Sequence, residues 1–292
     1  MAGNPGTFGW EGVCGLSVPG ALDDKYSRGT VLLATGSPTY PGAAVLGALG
    51  AAHYGAGMVR YLGCDRCSDL VLDRLPEAVL GGGRFDAAVL GSGWDASMAT
   101  AADVIARQSA KQGKPLVVDA GALHGVREWV QAGARVVATP HPGEAASMLS
   151  LLAPDQNVTR QDVEADPETY ACRIADLTGA TVVLKAYRTV VASPGGAHRT
   201  FVPPGSWGAT AGAGDVLAGA IGAALVGKER MEPAQAAFTA VVAHGLAAGL
   251  ASGVVSGNLN LTGKAGHPIL ASEIAGALSQ AVGYLTQVSS QT

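Results

Sequence analysis

The sequence predicts an α/β fold, a mostly parallel sheet covered by helices on both faces. Three observations carry this expectation. Short apolar runs alternate with segments of helical length through most of the chain, the pattern of successive strand–helix units. Those runs are brief and apolar, as strands buried on both faces are. The composition is 48% hydrophobic but only 5% aromatic, with 42 glycines, so the apolar fraction is mostly small side chains that let helices sit close to a sheet.

The elements follow in order. A polar lead-in (residues 1–24) runs into the charged DDKYSR (23–28). TVLLAT (30–35) is the first strand, closed by Gly36 and a Ser-Pro-Thr-Tyr-Pro-Gly turn. AAVLGALGAAHYGAG (43–57) has helical length, and MVRYL (58–62) returns as a strand. The alternation repeats with AAVLGSG (87–93) as strand, 97–112 as helix, and PLVVDA (115–120) and ARVVATP (134–140) as strands. Helices are expected at 143–153 and, as one long element, at 161–178. TVVLKA (181–186), TVVAS (189–193) and HRTFV (198–202) are three further strands. Gly195-Gly196 makes a hairpin turn between the last two, an antiparallel piece at one edge of the sheet. Ala-rich helices near 214–227, 232–252 and 270–285 finish the chain. With no linker and no internal repeat, residues 1–292 are expected to form one domain.

Composition excludes several classes. Charged residues make up 14%, with 19 Lys+Arg against 23 Asp+Glu. So apolar a chain is not disordered, and it has no cationic excess with which to bind nucleic acid. Cys14, Cys64, Cys67 and Cys172 are too few and too scattered for a disulfide framework. Cys64 and Cys67 form an isolated CxxC without a zinc partner set, read as structural thiols of a cytoplasmic protein. The first 24 residues hold no apolar signal core. Between Gln235 and Lys264 there is no charged residue, and 236–255 is long enough to span a bilayer. Its Ala, Gly, Ser, Thr and His gain little in lipid, so it is expected to be a buried core helix, and no membrane is implied.

Two familiar nucleotide signatures fail. GAALVGKE (222–229) has Glu229 where a Walker A loop needs Ser or Thr, and it ends a helix instead of starting one. GSPTYPG after the first strand lacks the dinucleotide-binding spacing. The informative segment is GATAGAGDVLAGA (208–220). Gly212, Ala213 and Gly214 offer little-obstructed backbone N–H groups, and Asp215 stands at the start of an apolar helical run. A helix N-terminus gathers unpaired donors and the positive end of the dipole, so it binds anions. A lone Gly-Asp pair can be a plain N-cap, but the preceding glycines exceed what a cap requires. A carboxylate beside an anion hole can take a proton from an alcohol while a phosphoryl group arrives.

AGAGDVLAGAIGAAL (211–225) resembles the anion-hole motif of the ribokinase-like superfamily, whose Asp is the catalytic base. Further segments agree in order and spacing: RGTVLLATGSPTYPGAAVLGALGAAHYGAGMV (28–59), VLGSGWD (89–95), PLVVDAGAL (115–123), ATPHPGEAASML (138–149) and TVVLKAYRTVVASP (181–194). Together, over about residues 25–285, they are similar to the ADP-dependent NAD(P)H-hydrate dehydratases. The resemblance implies a ribokinase-like three-layer α/β/α sandwich with a mostly parallel central sheet and a local antiparallel hairpin. It implies repair of the S epimer of NADH-hydrate and NADPH-hydrate, in which the ring hydroxyl is phosphorylated from ADP, AMP leaves, and phosphate is then expelled. The partners would be those small molecules and, for the other epimer, a separate epimerase, since no epimerase domain fits ahead of the first strand. A homotetramer and Mg²⁺ are further implications.

The resemblance also assigns residues. Asp215 would be the base, with Gly212, Ala213 and Gly214 donating to the transferring phosphoryl group and Gly214 touching AMP. Ala43, Gly93 and His141 would face the hydrated nicotinamide. Lys185, Ala186, Tyr187, Arg188 and Thr189 match a segment at the nucleotide phosphates, with Ala186 where a Gly is usual. Glu144 parallels an acid that orders Mg²⁺ through water, although a first-turn acid is also what a helix dipole favours. Two other readings stand beside this one. ATP-dependent vitamin kinases of the hydroxyethylthiazole or hydroxymethylpyrimidine type share the superfamily. A non-catalytic nucleotide-binding module is the third.

Overall fold

The computed structural model describes residues 13, 16, 18–94, 99–226 and 231–289. Most of the polar lead-in, Cys14, Asp95 and the Gly227–Glu229 end of the Walker-like segment lie outside them. Among the described residues nine strands form one sheet. They are β1 (Thr30–Ala34), β2 (Met58–Tyr61), β3 (Val79–Leu80), β4 (Ala87–Leu90), β5 (Pro115–Val118), β6 (Arg135–Ala138), β7 (Thr181–Leu184), β8 (Thr189–Ala192) and β9 (His198–Phe201). Their order is β3-β2-β1-β4-β5-β6-β7-β8-β9. Pairing is parallel from β3 to β7, with Val31 opposite Val59 on one side and Ala87 on the other. It turns antiparallel at β7–β8 and β8–β9, so the expected hairpin closes one edge.

Alternate side chains divide between two cores. Val31, Leu33, Val89, Val117 and Val183 face α1 (Gly42–Tyr54), α2 (Asp65–Arg74), α8 (Ala213–Ala224), α9 (Pro233–Ala251) and α10 (Ala271–Ser289). Leu32, Leu90, Leu116, Val118 and Leu184 face α3 (Ala99–Gln112), α4 (Val126–Gln131), α5 (Pro142–Leu152), α6 (Arg160–Ala165) and α7 (Pro167–Thr178). Helix α9 is long and apolar enough to cross a membrane by length and composition, yet most of it is buried in the first core. Its uniform apolarity is that of a helix surrounded by protein.

Some elements differ from expectation. The single helix expected over 161–178 is two, α6 and α7. Pro167 cannot continue a helix, and Asp166 before it takes φ −139° and caps α7 by accepting from Thr169 N. Strand β5 stops at Val118 because Ala120 takes φ 41°, which starts a 3₁₀ turn (Ala120–Gly125) leading into α4. Helix α2 was not foreseen, being mostly polar with only Cys67 and Val71 buried. Cys64 precedes that helix, and its Sγ lies 3.0 Å from that of Cys67. Burial pushes the Cys67 thiol up to about 11, far from a reactive thiolate.

Helices α1 and α8 pack backbone against backbone. A Cβ at Gly50 would strike the Val216 carbonyl, and one at Gly219 the Gly47 carbonyl. Overpacking such a contact costs about 1–3 kcal/mol. Gly219→Ala is therefore expected to lower the urea midpoint accordingly. Gly276→Ala, where nothing lies within 4 Å of the new methyl on α10, is expected to raise stability by about 0.5–1 kcal/mol through helix propensity. Equal midpoints for the two variants would refute the close-packing argument.

Candidate active site

In an open parallel sheet, ligands bind beyond the carboxyl ends of the strands where the strand order reverses. Here that point lies between β1 and β4. Gly36, just past β1, donates its N–H to the Ser92 carbonyl just past β4 at 2.7 Å. Gly93 takes φ +67°, and a side chain there would collide with Ala43 of α1. The structure thus brings Ala43 and Gly93 into direct apposition at the switch point. One turn further along α1, Leu46 packs on Gly212.

The ends of the next strands carry a buried polar network. Asp119 follows β5, Thr139 follows β6, and Lys185 follows β7, whose N–H donates to the Pro140 carbonyl at 2.8 Å. Asp119 Oδ1 accepts from Lys185 Nζ at 2.5 Å and from Thr139 Oγ1 at 2.7 Å, while Oδ2 accepts from Ser92 Oγ at 2.8 Å. Burial opposes ionisation of Asp119, but the Lys185 charge and these three donors hold its carboxyl below the usual range. Burial likewise opposes the Lys185 charge, yet Asp119, Glu144 and Asp215 together raise its pKa. Ala120, with its positive φ, sits next to Asp119, so backbone strain is held where the carboxylate turns inward. Asp119 had not been singled out from sequence. Its only signal is an acid immediately after an all-apolar strand.

Helix α8 begins against this network. Its N-cap is Gly212 at φ +88°, a conformation in which an L side chain would be strained. Asp215 is not the cap; it stands in the first turn, three residues on. The Ala213 N–H goes to the Thr210 carbonyl at 3.2 Å and that of Asp215 to the Gly212 carbonyl at 3.1 Å. Of the three donors expected from sequence, Ala213 is therefore already engaged. Those of Gly212 and Gly214 remain at the positive end of the helix. The Lys185 ammonium lies 3.5 Å from where a Cβ of Gly214 would be. Burial, then the negative charge of Asp119, push the Asp215 carboxyl up to about 6, against the pull of Lys185. A carboxylate of raised basicity, open backbone donors and a fixed ammonium suit proton removal from an alcohol beside a phosphoryl group.

His141 and Glu144 form the N-terminal capping box of α5. His141 Nδ1 accepts from the N–H groups of Gly143 (3.1 Å) and Glu144 (3.3 Å), and Glu144 Oε2 accepts from His141 N at 2.8 Å. With Nδ1 accepting, the ring proton sits on Nε2, 3.3 Å from Glu144 Oε1. The capping role holds for Glu144, and its charge acts on Lys185. A cleft of about 690 Å³ is lined by His141, Lys185, Ala186, Tyr187, Thr189, Ala213 and Gly214. Its far side is Phe201, Leu217, Val241, His244, Gly245 and Ala248, from β9, α8 and α9. None of this apolar side had been singled out from sequence, since it is assembled from three distant elements. Arg188 lies outside the cleft, paired with Glu168 at 2.5 Å, beside a second hollow that shares His141 and Lys185. Among the described residues no three His, Cys, Asp or Glu side chains could together hold a metal.

The charge arrangement has measurable consequences. A folded pKa of about 6 for Asp215 against an ordinary value of 3.8 means that the native state binds the extra proton between these values. Stability then falls as pH rises from about 4 to 6, and the cost is constant above. Asp215→Asn is expected to raise stability above pH 6 by at most about 3 kcal/mol, with no gain at pH 3.5; urea unfolding at the two pH values checks this. Asp119→Asn leaves Lys185 largely buried without its partner. That variant is expected to lose about 3–5 kcal/mol at pH 7 in the same assay.

The family model described as NAD(P)H-hydrate dehydratase matches residues 31–256. The bifunctional NAD(P)H-hydrate repair enzyme Nnr of Mycobacterium tuberculosis is 40% identical over 218 residues, which cover 71% of this chain and 43% of that relative. The match thus spans less than half the length of that curated relative. The ADP-dependent (S)-NAD(P)H-hydrate dehydratase of Xanthomonas campestris is 36% identical, over 70% of this chain and 74% of its own. The crystal structure of the ADP/ATP-dependent NAD(P)H-hydrate dehydratase of Bacillus subtilis, co-crystallised with ATP/Mg²⁺, matches with a TM-score of 0.77 at 27% identity, over 92% of this chain and 94% of that one. The architecture is the ribokinase-like three-layer sandwich. A match that runs from β1 past the end of α9 and takes in the whole strand-end network places this chain in the NAD(P)H-hydrate dehydratase family.

Proposed function

We propose that the chain is an ADP-dependent (S)-NAD(P)H-hydrate dehydratase that restores NADH and NADPH from their hydrates. The observation that carries this is Asp215: a carboxylate with a pKa of about 6 in the first turn of α8, beside Gly212 and within reach of the Lys185 charge. The hydrated nicotinamide would sit against Ala43 and Gly93, with His141 at its edge. The nucleotide would occupy the cleft, phosphates toward Gly214, Lys185 and Thr189 and nucleoside toward Phe201. Ala186 and Tyr187 line the same cleft, and Arg188 would act from its rim.

In this reading Asp215 takes the proton of the ring hydroxyl as its oxygen attacks the β-phosphorus of ADP. The bond from that phosphorus to the bridging oxygen breaks, and AMP leaves. The N–H groups of Gly212 and Gly214, with Lys185, stabilise charge on the transferring group. The ring nitrogen's lone pair then expels phosphate, and loss of a proton from the neighbouring carbon restores the dihydropyridine. Water exclusion falls to the apolar side of the cleft. The donor set fits Mg²⁺ held mainly by phosphate oxygens and water, because Glu144 is a single carboxylate and the described residues form no protein cage. Such an ion, when bound, neutralises charge on the phosphates.

One dehydratase unit, a homotetrameric assembly, a cytoplasmic location and functional pairing with a separate NAD(P)H-hydrate epimerase belong to the same proposal. The name of the bifunctional M. tuberculosis relative supports the last of these.

The test is recovery of NADH absorbance from purified NADH-hydrate with ADP, with ATP and with neither. Recovery with ADP is expected, its rate falling about tenfold per pH unit below 6 as Asp215 protonates. Asp215→Asn is expected to lower kcat by about 10²–10⁴ while AMP affinity changes less than about twofold. No recovery with either nucleotide, from folded protein that binds AMP, would overturn the proposal and favour a kinase that leaves a stable phosphate ester.

A further inference from the structure

His244, in the middle of α9, reaches across the first core to the start of α8. Its ring hydrogen-bonds the Ala213 backbone, and that contact raises its pKa, as donation to a carbonyl does. Its Nε2 is buried and has no partner, so the bonded nitrogen is Nδ1 and the proton resides there. Burial outweighs the contact and pushes the ring down to about 4, which keeps it neutral at physiological pH. His244 is among the residues that line the cleft, and its Nε2 holds an unused lone pair buried in that wall. Around it the wall is apolar: Phe201, Leu217, Val241 and Ala248. A buried acceptor left without a donor costs about 1–3 kcal/mol. The same group becomes discriminating when a ligand supplies the donor.

We infer that His244 is a specificity-determining residue of the cleft, accepting at Nε2 a hydrogen bond from the nucleoside of the bound nucleotide. This rests on the reading of the cleft as the nucleotide site. Three groups on adenosine can donate: the 2′-hydroxyl, the 3′-hydroxyl and the adenine amino group. The position of His244 favours a nucleoside donor over a phosphate, because a neutral lone pair repels phosphate oxygens and Lys185 with Gly214 already serve them. The Nδ1 bond to Ala213 also ties the nucleoside end of the cleft to the first turn that carries Asp215. Occupancy at His244 thus bears on the same backbone that receives the phosphoryl group.

The experiment is calorimetric binding of ADP, 2′-deoxy-ADP, 3′-deoxy-ADP and purine riboside diphosphate to the full chain. Wild-type protein is expected to bind one of the three analogues about tenfold or more weakly than ADP. In His244→Leu that analogue and ADP should bind within about twofold of each other, and His244→Gln, which retains an acceptor oxygen, should recover part of the difference. Binding of all four nucleotides within twofold by the wild type would overturn the inference without recourse to any variant. So would a preference that survives intact in folded His244→Leu. A wild type that binds neither ADP nor AMP would sink the nucleotide reading itself, and the role of His244 with it.

Discussion

Two opposite charges buried at the carboxyl edge of the sheet hold the site together. Asp119 and Lys185 come from strands β5 and β7, on either side of β6, and each would be costly alone in that environment. Together, and with Thr139 and Ser92 donating to the same carboxylate, they join the ends of four neighbouring strands. Such a pair contributes little net stability compared with an apolar filling. Its value lies in what it does to its neighbours. The ammonium is held beside Gly214, and the carboxylate, with burial, keeps Asp215 basic.

That arrangement is useful only if α8 starts at one particular place, and small residues put it there. Gly47 and Gly50 on α1 meet Gly219 and Val216 on α8 with no room for a methyl group. Part of the high glycine content noted in the sequence therefore serves a helix contact whose spacing sets the position of the Asp215 carboxylate. Helix α9 lies behind both, largely apolar, with His244 reaching from it to the start of α8. Displacing any of the three helices would move the first turn of α8 relative to Lys185.

The cleft joins two unlike surfaces. At one end backbone N–H groups and an ammonium present positive charge; at the other, Phe201, Val241 and Ala248 present hydrocarbon. A nucleotide has the same polarity along its length. The Ala43–Gly93 apposition lies outside that cleft, at the reversal of strand order. On the proposed reading, the ring hydroxyl and the phosphoryl donor would reach Asp215 from different directions.

Local signals in the sequence determined a good deal. All the strands of the sheet except the short, exposed β3, the hairpin at Gly195-Gly196 and the helix after Gly212 were legible, because each depends on residues close together in the chain. So was Asp215, whose glycines sit beside it. The break at Pro167 was also local in origin, but the apolar spacing on either side masked it. Tertiary structure alone decided the rest. Asp119 gained its role only when β5 came to lie two strands from β7, 66 residues away in sequence. The apolar wall of the cleft needed β9, α8 and α9 together, and the engaged N–H of Ala213 needed the turn at Thr210. The raised pKa of Asp215 likewise comes from burial and a distant charge. Local conformation follows from near neighbours along the chain, whereas electrostatic environment follows from near neighbours in space.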